Sequence, residues 1–140
     1  MKILKEVYDK IIELPIVPPE SGGVIGGRFD IISDFVIINS KKNLCSDLYA
    51  PDVEQLNETI GKWSSEGVID FYGIVHTHRP CSLELSPGDI DYIKEIMLGI
   101  SKFKKELLFP IVIPQKQVKW YCARMFENEI EVFEKLIEII

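Results

Sequence analysis

The stretch that decides the fold is residues 71–78, Phe-Tyr-Gly-Ile-Val-His-Thr-His. Its apolar run is short and stands between two segments with helical periodicity, which predicts a buried β-strand. His76 and His78 end this strand, and they are the only two histidines of the chain. Because alternate residues of a strand point to the same face, both imidazoles project together. Two neutral imidazoles placed in this way are good zinc ligands.

A third ligand is expected from the segment that follows the strand. Asp89 comes eleven residues after His78, beyond a loop that contains Pro80 and Pro87. That loop can fold back so that the first turn of the next helix faces the strand end. Zinc prefers four ligands in a tetrahedron, so two histidines and one carboxylate leave one position for water. The sequence therefore predicts an open, catalytic zinc site made of His76, His78 and Asp89.

A zinc hydrolase also needs groups that do not bind the metal. One is a carboxylate that moves a proton from the attacking water to the leaving amine. Glu20 is the candidate, because it opens a glycine-rich stretch that a substrate or the metal-binding loop can approach closely. Ser86 is the candidate for donating a hydrogen bond to the developing oxyanion.

These residues also have purely structural interpretations. Residues 86–89, Ser-Pro-Gly-Asp, form a typical helix start with an N-cap serine, a proline at the first position and an acid at the third. Taken alone, that motif favours a cap, although a cap and a metal site are compatible. Glu20 taken alone favours a solvent-exposed acid. Cys81 and Glu84 share the loop as competing ligands, and we rank both below Asp89.

The rest of the chain predicts an α/β (α+β) fold in which helices flank a mixed, twisted β-sheet. Residues 1–140 are predicted to form one domain. The tail, 129–140, is ambiguous between strand and helix. The predicted elements, in the order αββαβαββ, are a helix over 2–14, a hairpin or meander over 20–39 with a turn or bulge at Ser33-Asp34, a helix from Val53 to near Gly67, the strand ending in the histidines, a helix over 90–100, and strands over 107–113 and 117–125.

Charge and composition exclude several classes of function. The formal net charge is −6, which disfavours a broad nucleic-acid-binding face. No stretch approaches the roughly 20 apolar residues of a membrane span, and the N-terminus does not have the shape of a signal peptide. The 3 cysteines have no CxxC spacing, which favours free thiols in a reducing compartment. We therefore predict a cytoplasmic protein that binds neither nucleic acid nor membranes.

Together these residues resemble the JAMM metalloproteases, also called the MPN-plus or JAB family. The family pattern is an upstream Glu, then His-x-His-Pro, about seven residues, and Ser-x-x-Asp. Here it appears as Glu20, His76-Thr77-His78 and residues 86–89, with seven residues between His78 and the serine. Residues 20–23, Glu-Ser-Gly-Gly, are similar to the Glu-x-Gly-Gly stretch of bacterial members. The chain departs from the pattern at Arg79, which stands where the family has proline.

The resemblance implies a set of roles and a substrate class. It implies zinc, one per chain, on His76, His78 and Asp89, with Glu20 as general acid/base and Ser86 as oxyanion stabiliser. It also implies a twisted sheet wrapped by helices, related to the cytidine deaminases. The implied reaction is hydrolysis of a peptide or isopeptide bond in a protein or peptide substrate, such as the C-terminal tail of a ubiquitin-like or sulfur-carrier protein.

The substrate tail is expected to contact the glycine-rich stretch. Gly22 and Gly23 would line its path, Arg79 would contact it, and the tail would add as a strand beside residues 20–28. Two other functions stay open. One is a non-catalytic MPN-type protein-binding module, and the other is a zinc amidase that acts on a small molecule. A deep closed pocket would favour the amidase, and an open groove beside residues 20–28 would favour a peptide.

Overall fold

A strongly curved mixed sheet forms the framework of the computed structural model, which describes residues 1–15, 21–39, 51–78, 83–100 and 103–140. The elements in chain order are β1 (Lys2–Ile3), α1 (Lys5–Ile12), β2 (Gly22–Arg28), β3 (Ile31–Ile37), α2 (Val53–Glu66), β4 (Asp70–Thr77), α3 (Pro87–Ile100), β5 (Glu106–Leu108), β6 (Ile111–Ile113), β7 (Gln117–Lys119), β8 (Tyr121–Phe126), β9 (Glu129–Glu134) and β10 (Glu138–Ile139). This architecture confirms the predicted fold class.

Strand β4 lies at the centre of the sheet. The strand order is β10-β1-β3-β2-β4-β5-β8-β9, while β6 pairs with β4 and β7 off this path. One edge of β4 therefore pairs antiparallel with β2, and the other pairs in parallel first with β5 and then with β6. The histidines stand where β4 leaves β5 and meets β6, since His76 is opposite Ile111.

Two apolar cores cover the two faces of the sheet. Consecutive residues of β2 separate them: Val24 belongs to the core under α2 and α3, and Ile25 belongs to the core under α1. Strand β4 repeats this division with Ile74 and Val75. A strand that is buried on both faces reads as a continuous apolar run, as the sequence of β4 does. None of the helices in the described ranges has the length and apolar character that crossing a membrane requires.

The N-terminal and C-terminal ends differ from the sequence-based prediction. The helix predicted over 2–14 is shorter, because Lys2–Ile3 form a strand between β3 and β10 before α1 begins at Lys5. Ile3 is fully buried in this position, so burial in the sheet outweighs helical periodicity there. Glu134 to Ile140, which we expected could be helical, contain β10 instead.

The two strands predicted after α3 are each divided in two. Residues 107–113 divide at Phe109–Pro110, where the chain passes from β5 to β6, and proline supplies no N–H to continue the ladder. Residues 117–125 divide at Trp120, where pairing changes from β6 to β5. Of the hairpin or meander predicted over 20–39, the structure shows a hairpin over 22–37. Its turn lies at Phe29–Asp30, and the register shift opposite Gly26/Gly27 places a bulge at Ser33.

Gly73 allows β4 and β5 to approach each other. It pairs with Leu108, and a Cβ atom at Gly73 would lie 2.0 Å from the Leu108 carbonyl oxygen. We expect Gly73→Ala to lower the free energy of unfolding by about 2 kcal/mol or more, because two backbones must separate to make room. Urea denaturation followed by circular dichroism measures this loss.

Gly61→Ala is the matched control. Gly61 lies within α2 and has nothing within 4 Å of the position that a Cβ would take. We expect the free energy of unfolding of this variant to rise by about 0.5–1 kcal/mol, because alanine is a better helix former than glycine. Equal effects of the two substitutions would contradict the close approach of β4 and β5.

Candidate metal centre

The end of β4 and the first turn of α3 bring three potential ligands together. The Nε2 atoms of His76 and His78 lie 2.9 Å apart. The two carboxylate oxygens of Asp89 face them, with Oδ1 3.4 Å from His76 Nε2 and Oδ2 3.1 Å from His78 Nε2. All three ligand atoms lie within 4.8 Å of one another. Asp89 therefore faces the end of β4 as expected, and the structure brings the three predicted residues together.

Backbone pairing fixes both histidines at the strand end. The N–H of His76 donates to Pro110 O at 3.3 Å, and the N–H of His78 donates to Val112 O at 2.8 Å. On the other edge, the N–H of Thr77 donates to Ser21 O at 2.8 Å, and the Thr77 hydroxyl accepts from the Ser21 N–H at 2.9 Å. Neighbouring backbone segments thus hydrogen-bond to the His-Thr-His segment on both sides, and these bonds hold the two imidazoles in place.

A capping box orients Asp89. The Ser86 hydroxyl accepts a hydrogen bond from the Asp89 N–H at 3.1 Å, and the Asp89 carboxylate accepts one from the Ser86 N–H at 2.9 Å. These reciprocal bonds satisfy N–H groups that a helix start leaves without partners. The structural and the functional interpretations of Ser86 and Asp89 are therefore both compatible with one geometry: the cap aims the carboxylate at the histidines.

The site is largely shielded from water. The exposed fractions of the side chains are 11% for His76, 9% for His78 and 6% for Asp89. Burial by itself raises the pKa of Asp89, but hydrogen bonds from His76, His78 and the Ser86 N–H outweigh it and hold that pKa well below its usual range. Asp89 is thus a carboxylate at neutral pH, the form that binds a metal.

The donor set fits a borderline divalent cation. Two imidazole nitrogens and one carboxylate oxygen are the combination that catalytic zinc sites use with one position left open. The buried negative charge of Asp89 is stabilised by a cation, and a metal ion bound to Asp89 and both imidazoles would supply that positive charge. Within the described residues, no other set of three histidine, cysteine or acidic side chains comes this close together. His76, His78 and Asp89 therefore form a candidate metal site.

Three residues of the sequence-based hypotheses lie outside the described part of the chain: Glu20, Arg79 and Cys81. Glu84, the other competing ligand, is directed elsewhere, because its carboxylate accepts a hydrogen bond from Lys119 Nζ at 3.1 Å. Ser86 lies at the site, where its hydroxyl oxygen accepts from the Asp89 N–H, and a hydroxyl group that accepts also carries a hydrogen that can donate.

The glycine-rich strand does not have the open edge that we expected. Strand β2 pairs with β3 on one side and with β4 on the other, from Gly22 or Gly23 to its end. The expectation that a substrate tail adds as a strand beside residues 20–28 is therefore wrong for 22–28. Packing within the sheet also explains why glycine stands at position 23, since a Cβ atom there would lie 2.3 Å from the Val36 carbonyl oxygen. Gly22 and Gly23 as substrate contacts stay a prediction.

Sequence reasoning missed the residues that attach the loop before α3 to the sheet. The Tyr121 hydroxyl donates to Leu83 O at 3.0 Å, and Lys119 forms the ion pair with Glu84. Contacts between residues 35 to 38 positions apart leave no signal in local sequence patterns. The two hydrogen bonds between Thr77 and Ser21 were also missed, although the position of Thr77 between the two histidines was a signal that could have indicated its role.

Comparisons with known proteins agree on the fold. No family model and no curated protein matches this sequence. Solved structures do match it over its full length. A protein from Desulfitobacterium hafniense is 16% identical, with 93% of that chain covered and a TM-score of 0.68. A protein from Salinibacter ruber is 14% identical, with 92% covered and a TM-score of 0.57.

A third solved structure connects this fold with a named domain. It is a JAB1/MPN domain protein from Archaeoglobus fulgidus that is 19% identical, with 100% of this chain and 99% of that chain covered and a TM-score of 0.53. At this level of identity, the likeness is one of fold. The mixed sheet with its three helices in the described ranges is consistent with a JAB1/MPN-like fold.

The ligand role of Asp89 can be separated from its role in the cap. Asp89→Asn keeps a side-chain oxygen for the Ser86 N–H but removes the charge. We expect zinc affinity to fall at least about 100-fold, which exceeds the roughly 10–100-fold cost of losing a hydrogen-bond partner of a ligand. Competition with a chromophoric chelator measures it. Asp91→Asn, on the same helix, is the control and should bind zinc like the unchanged protein.

The cap itself predicts an effect on stability. Ser86→Ala removes the acceptor for the Asp89 N–H, so we expect the metal-free protein to lose about 1 kcal/mol in the free energy of unfolding. Ser86→Asn retains a capping oxygen, so its free energy of unfolding should fall much less. Ser64→Ala, inside α2, is the control for serine replacement within a helix. An unchanged unfolding midpoint in Ser86→Ala would argue against the cap.

Proposed function

We propose that this protein is a zinc-dependent metallopeptidase or isopeptidase. The observation that carries the proposal is the convergence of His76, His78 and Asp89 at the junction of β4 and α3, in a chain with a JAB1/MPN-like fold. Three ligands that leave one open position suit a hydrolytic site better than a structural one, because structural zinc is closed by four protein ligands. The resemblance of the sequence to the JAMM pattern points to the same chemistry.

His76, His78 and Asp89 would hold the zinc ion. When bound, zinc supplies Lewis acidity, which polarises a carbonyl group and makes a water molecule more acidic. The protein's part is to keep the two imidazoles and the carboxylate rigid and partly shielded from water, so that electrostatic effects at the site are strong. The paired backbone of the His-Thr-His segment provides that rigidity.

Glu20 is the proposed general acid/base. Its carboxylate would take a proton from the attacking water and deliver it to the nitrogen of the leaving amine. Support comes from its neighbour in the chain: Ser21 forms two hydrogen bonds with Thr77, the residue between the histidines.

Ser86 is the proposed oxyanion stabiliser. Its oxygen accepts the Asp89 N–H, and its hydroxyl hydrogen is available to donate to the oxygen that gains charge when the scissile carbonyl is attacked. Because the same residue caps α3, its position relative to Asp89 is fixed before substrate arrives. The stability effect of Ser86→Ala and its effect on turnover are therefore separate quantities.

The proposed substrate is a protein tail, such as the C-terminus of a ubiquitin-like or sulfur-carrier protein. The resemblance to the JAMM pattern supports this class. Since β2 has no open edge over 22–28, the tail would have to reach the metal by another path. We place the reaction in the cytoplasm because the 3 cysteines of the sequence have no CxxC spacing, which favours free thiols in a reducing compartment.

The experiment is a cleavage assay on zinc-loaded protein. The substrates are a ubiquitin-like protein joined through its C-terminal tail to a peptide, by a peptide or an isopeptide bond, and a panel of small amides. We expect cleavage at the end of the tail, lost on chelation and restored by zinc. Glu20→Gln should keep its zinc while turnover falls by about 10²–10⁴-fold.

The control variant is Glu13→Gln, an acid at the end of α1 that has no part in the proposed chemistry. It should retain full activity. If only the small amides are cleaved, the protein is an amidase and the peptidase proposal is wrong. Zinc binding with no hydrolysis of any substrate would leave a binding module, and absence of zinc binding would overturn the proposal.

A further inference from the structure

The segment that leads into α3 is attached to the sheet at a second place, away from the ligands. The Tyr121 hydroxyl donates a hydrogen bond to the backbone oxygen of Leu83 at 3.0 Å. Beside it, Lys119 Nζ lies 3.1 Å from the Glu84 carboxylate. We call these two contacts the Tyr121 anchor. They connect β7 and β8 to residues that stand just before the capping box of α3.

The anchor and the metal ligands share one face of the sheet. His76 is opposite Ile111 across the β4–β6 pair, and Ile111 is opposite Lys119 across the β6–β7 pair. Residues that are directly opposite in a sheet project from the same face. The segment from Leu83 to Asp89 therefore lies over this face, held by the anchor at its start and facing the histidines at its end.

The tyrosine is the stronger of the two contacts. Tyr121 is 8% exposed, and its bond to the backbone of Leu83 is independent of the side chain at that position. The Glu84 side chain is 80% exposed, and ion pairs between exposed groups contribute little because water and salt screen them. The hydroxyl of Tyr121 is therefore the stronger of these two polar contacts that hold the chain where it enters the capping box.

The direction of the Asp89 carboxylate depends on that entry point. Its Oδ2 accepts from the Ser86 N–H, so moving Ser86 moves the carboxylate relative to His78. Leu83 is only three residues before Ser86. A ligand that is held in place before the metal arrives spares the cost of ordering it at binding.

We propose that Tyr121 is a positioning residue for the metal site: its hydroxyl holds the segment from Leu83 to Ser86 so that Asp89 faces His76 and His78. The proposal rests on the metal site of the proposed function, and Tyr121 itself touches neither the metal nor the substrate. It acts through the backbone of Leu83 and the cap of α3. Its loss is expected to weaken metal binding without removing any ligand.

Two measurements on Tyr121→Phe test the proposal. The first is amide hydrogen exchange at Ser86 and Asp89 in the metal-free protein, which reports the order of the capping box without any metal. The second is zinc affinity by chelator competition, with the absorption spectrum of bound Co²⁺ as a report of ligand geometry. We expect faster exchange at both amides, zinc binding that is about five- to tenfold weaker, and an altered Co²⁺ spectrum.

Tyr72→Phe is the matched control. The Tyr72 hydroxyl also bonds to a backbone group, accepting from the Asp30 N–H at 3.3 Å, but it lies towards the other end of β4. This variant loses a comparable hydrogen bond and should leave the exchange of Ser86 and Asp89, the zinc affinity and the Co²⁺ spectrum unchanged. Equal effects of Tyr72→Phe and Tyr121→Phe would show a general loss of stability and overturn the positioning role.

A second variant keeps the test decisive if Tyr121→Phe does not fold. Lys119→Met removes the ion pair with Glu84 and the contact of Lys119 Nζ with the Tyr121 ring, but it keeps the hydroxyl that bonds to Leu83. We therefore expect the same changes with a smaller magnitude. Unchanged exchange and unchanged affinity in the folded variants would overturn the proposal while leaving the proposed function standing. If the protein without substitutions binds no zinc, both the positioning role and the proposed function are overturned. The exchange data would then report only a structural anchor.

Discussion

The contact between the end of β4 and the first turn of α3 is the constraint on which the rest of the site depends. A carboxylate that is 6% exposed faces two imidazoles and also accepts a hydrogen bond from the N–H of Ser86. Burial of a charge is costly unless it is paired and hydrogen-bonded. The sheet around β4, with pairing on both edges, supplies the rigid surface that allows this contact to form.

One short motif serves two physical purposes. A helix start exposes N–H groups that need acceptors and carries a partial positive charge, so an acid in its first turn is stabilised there. The same acid is turned towards a strand that ends in His-Thr-His, where it is a candidate for the negative ligand of a divalent cation. Because Ser86 and Asp89 bond to each other, the helix cap and the candidate ligand share one geometry. A structural role for these residues therefore supports the functional role.

The pairing of β2 on both edges leaves no place for a further strand beside residues 22–28. Strand β2 is enclosed by β3 and β4, so its glycines allow close packing within the sheet, as Gly23 does against Val36. Gly73 performs the same task between β4 and β5. The two histidine side chains lie on the same face of the sheet as Asp89. This is the face that also carries the anchor from Tyr121 to Leu83.

The sequence by itself determined the local features: the apolar strand, the candidate ligands of the His-Thr-His segment, the Ser-Pro-Gly-Asp helix start and the periodicity of α2 and α3. Each depends on residues within a few positions of one another. Only the tertiary structure decided that Lys2–Ile3 form a strand, that Pro110 and Trp120 divide the later strands, and that Tyr121 holds Leu83. Those outcomes depend on pairing between distant segments, where burial and backbone hydrogen bonds in the sheet outweigh local preference.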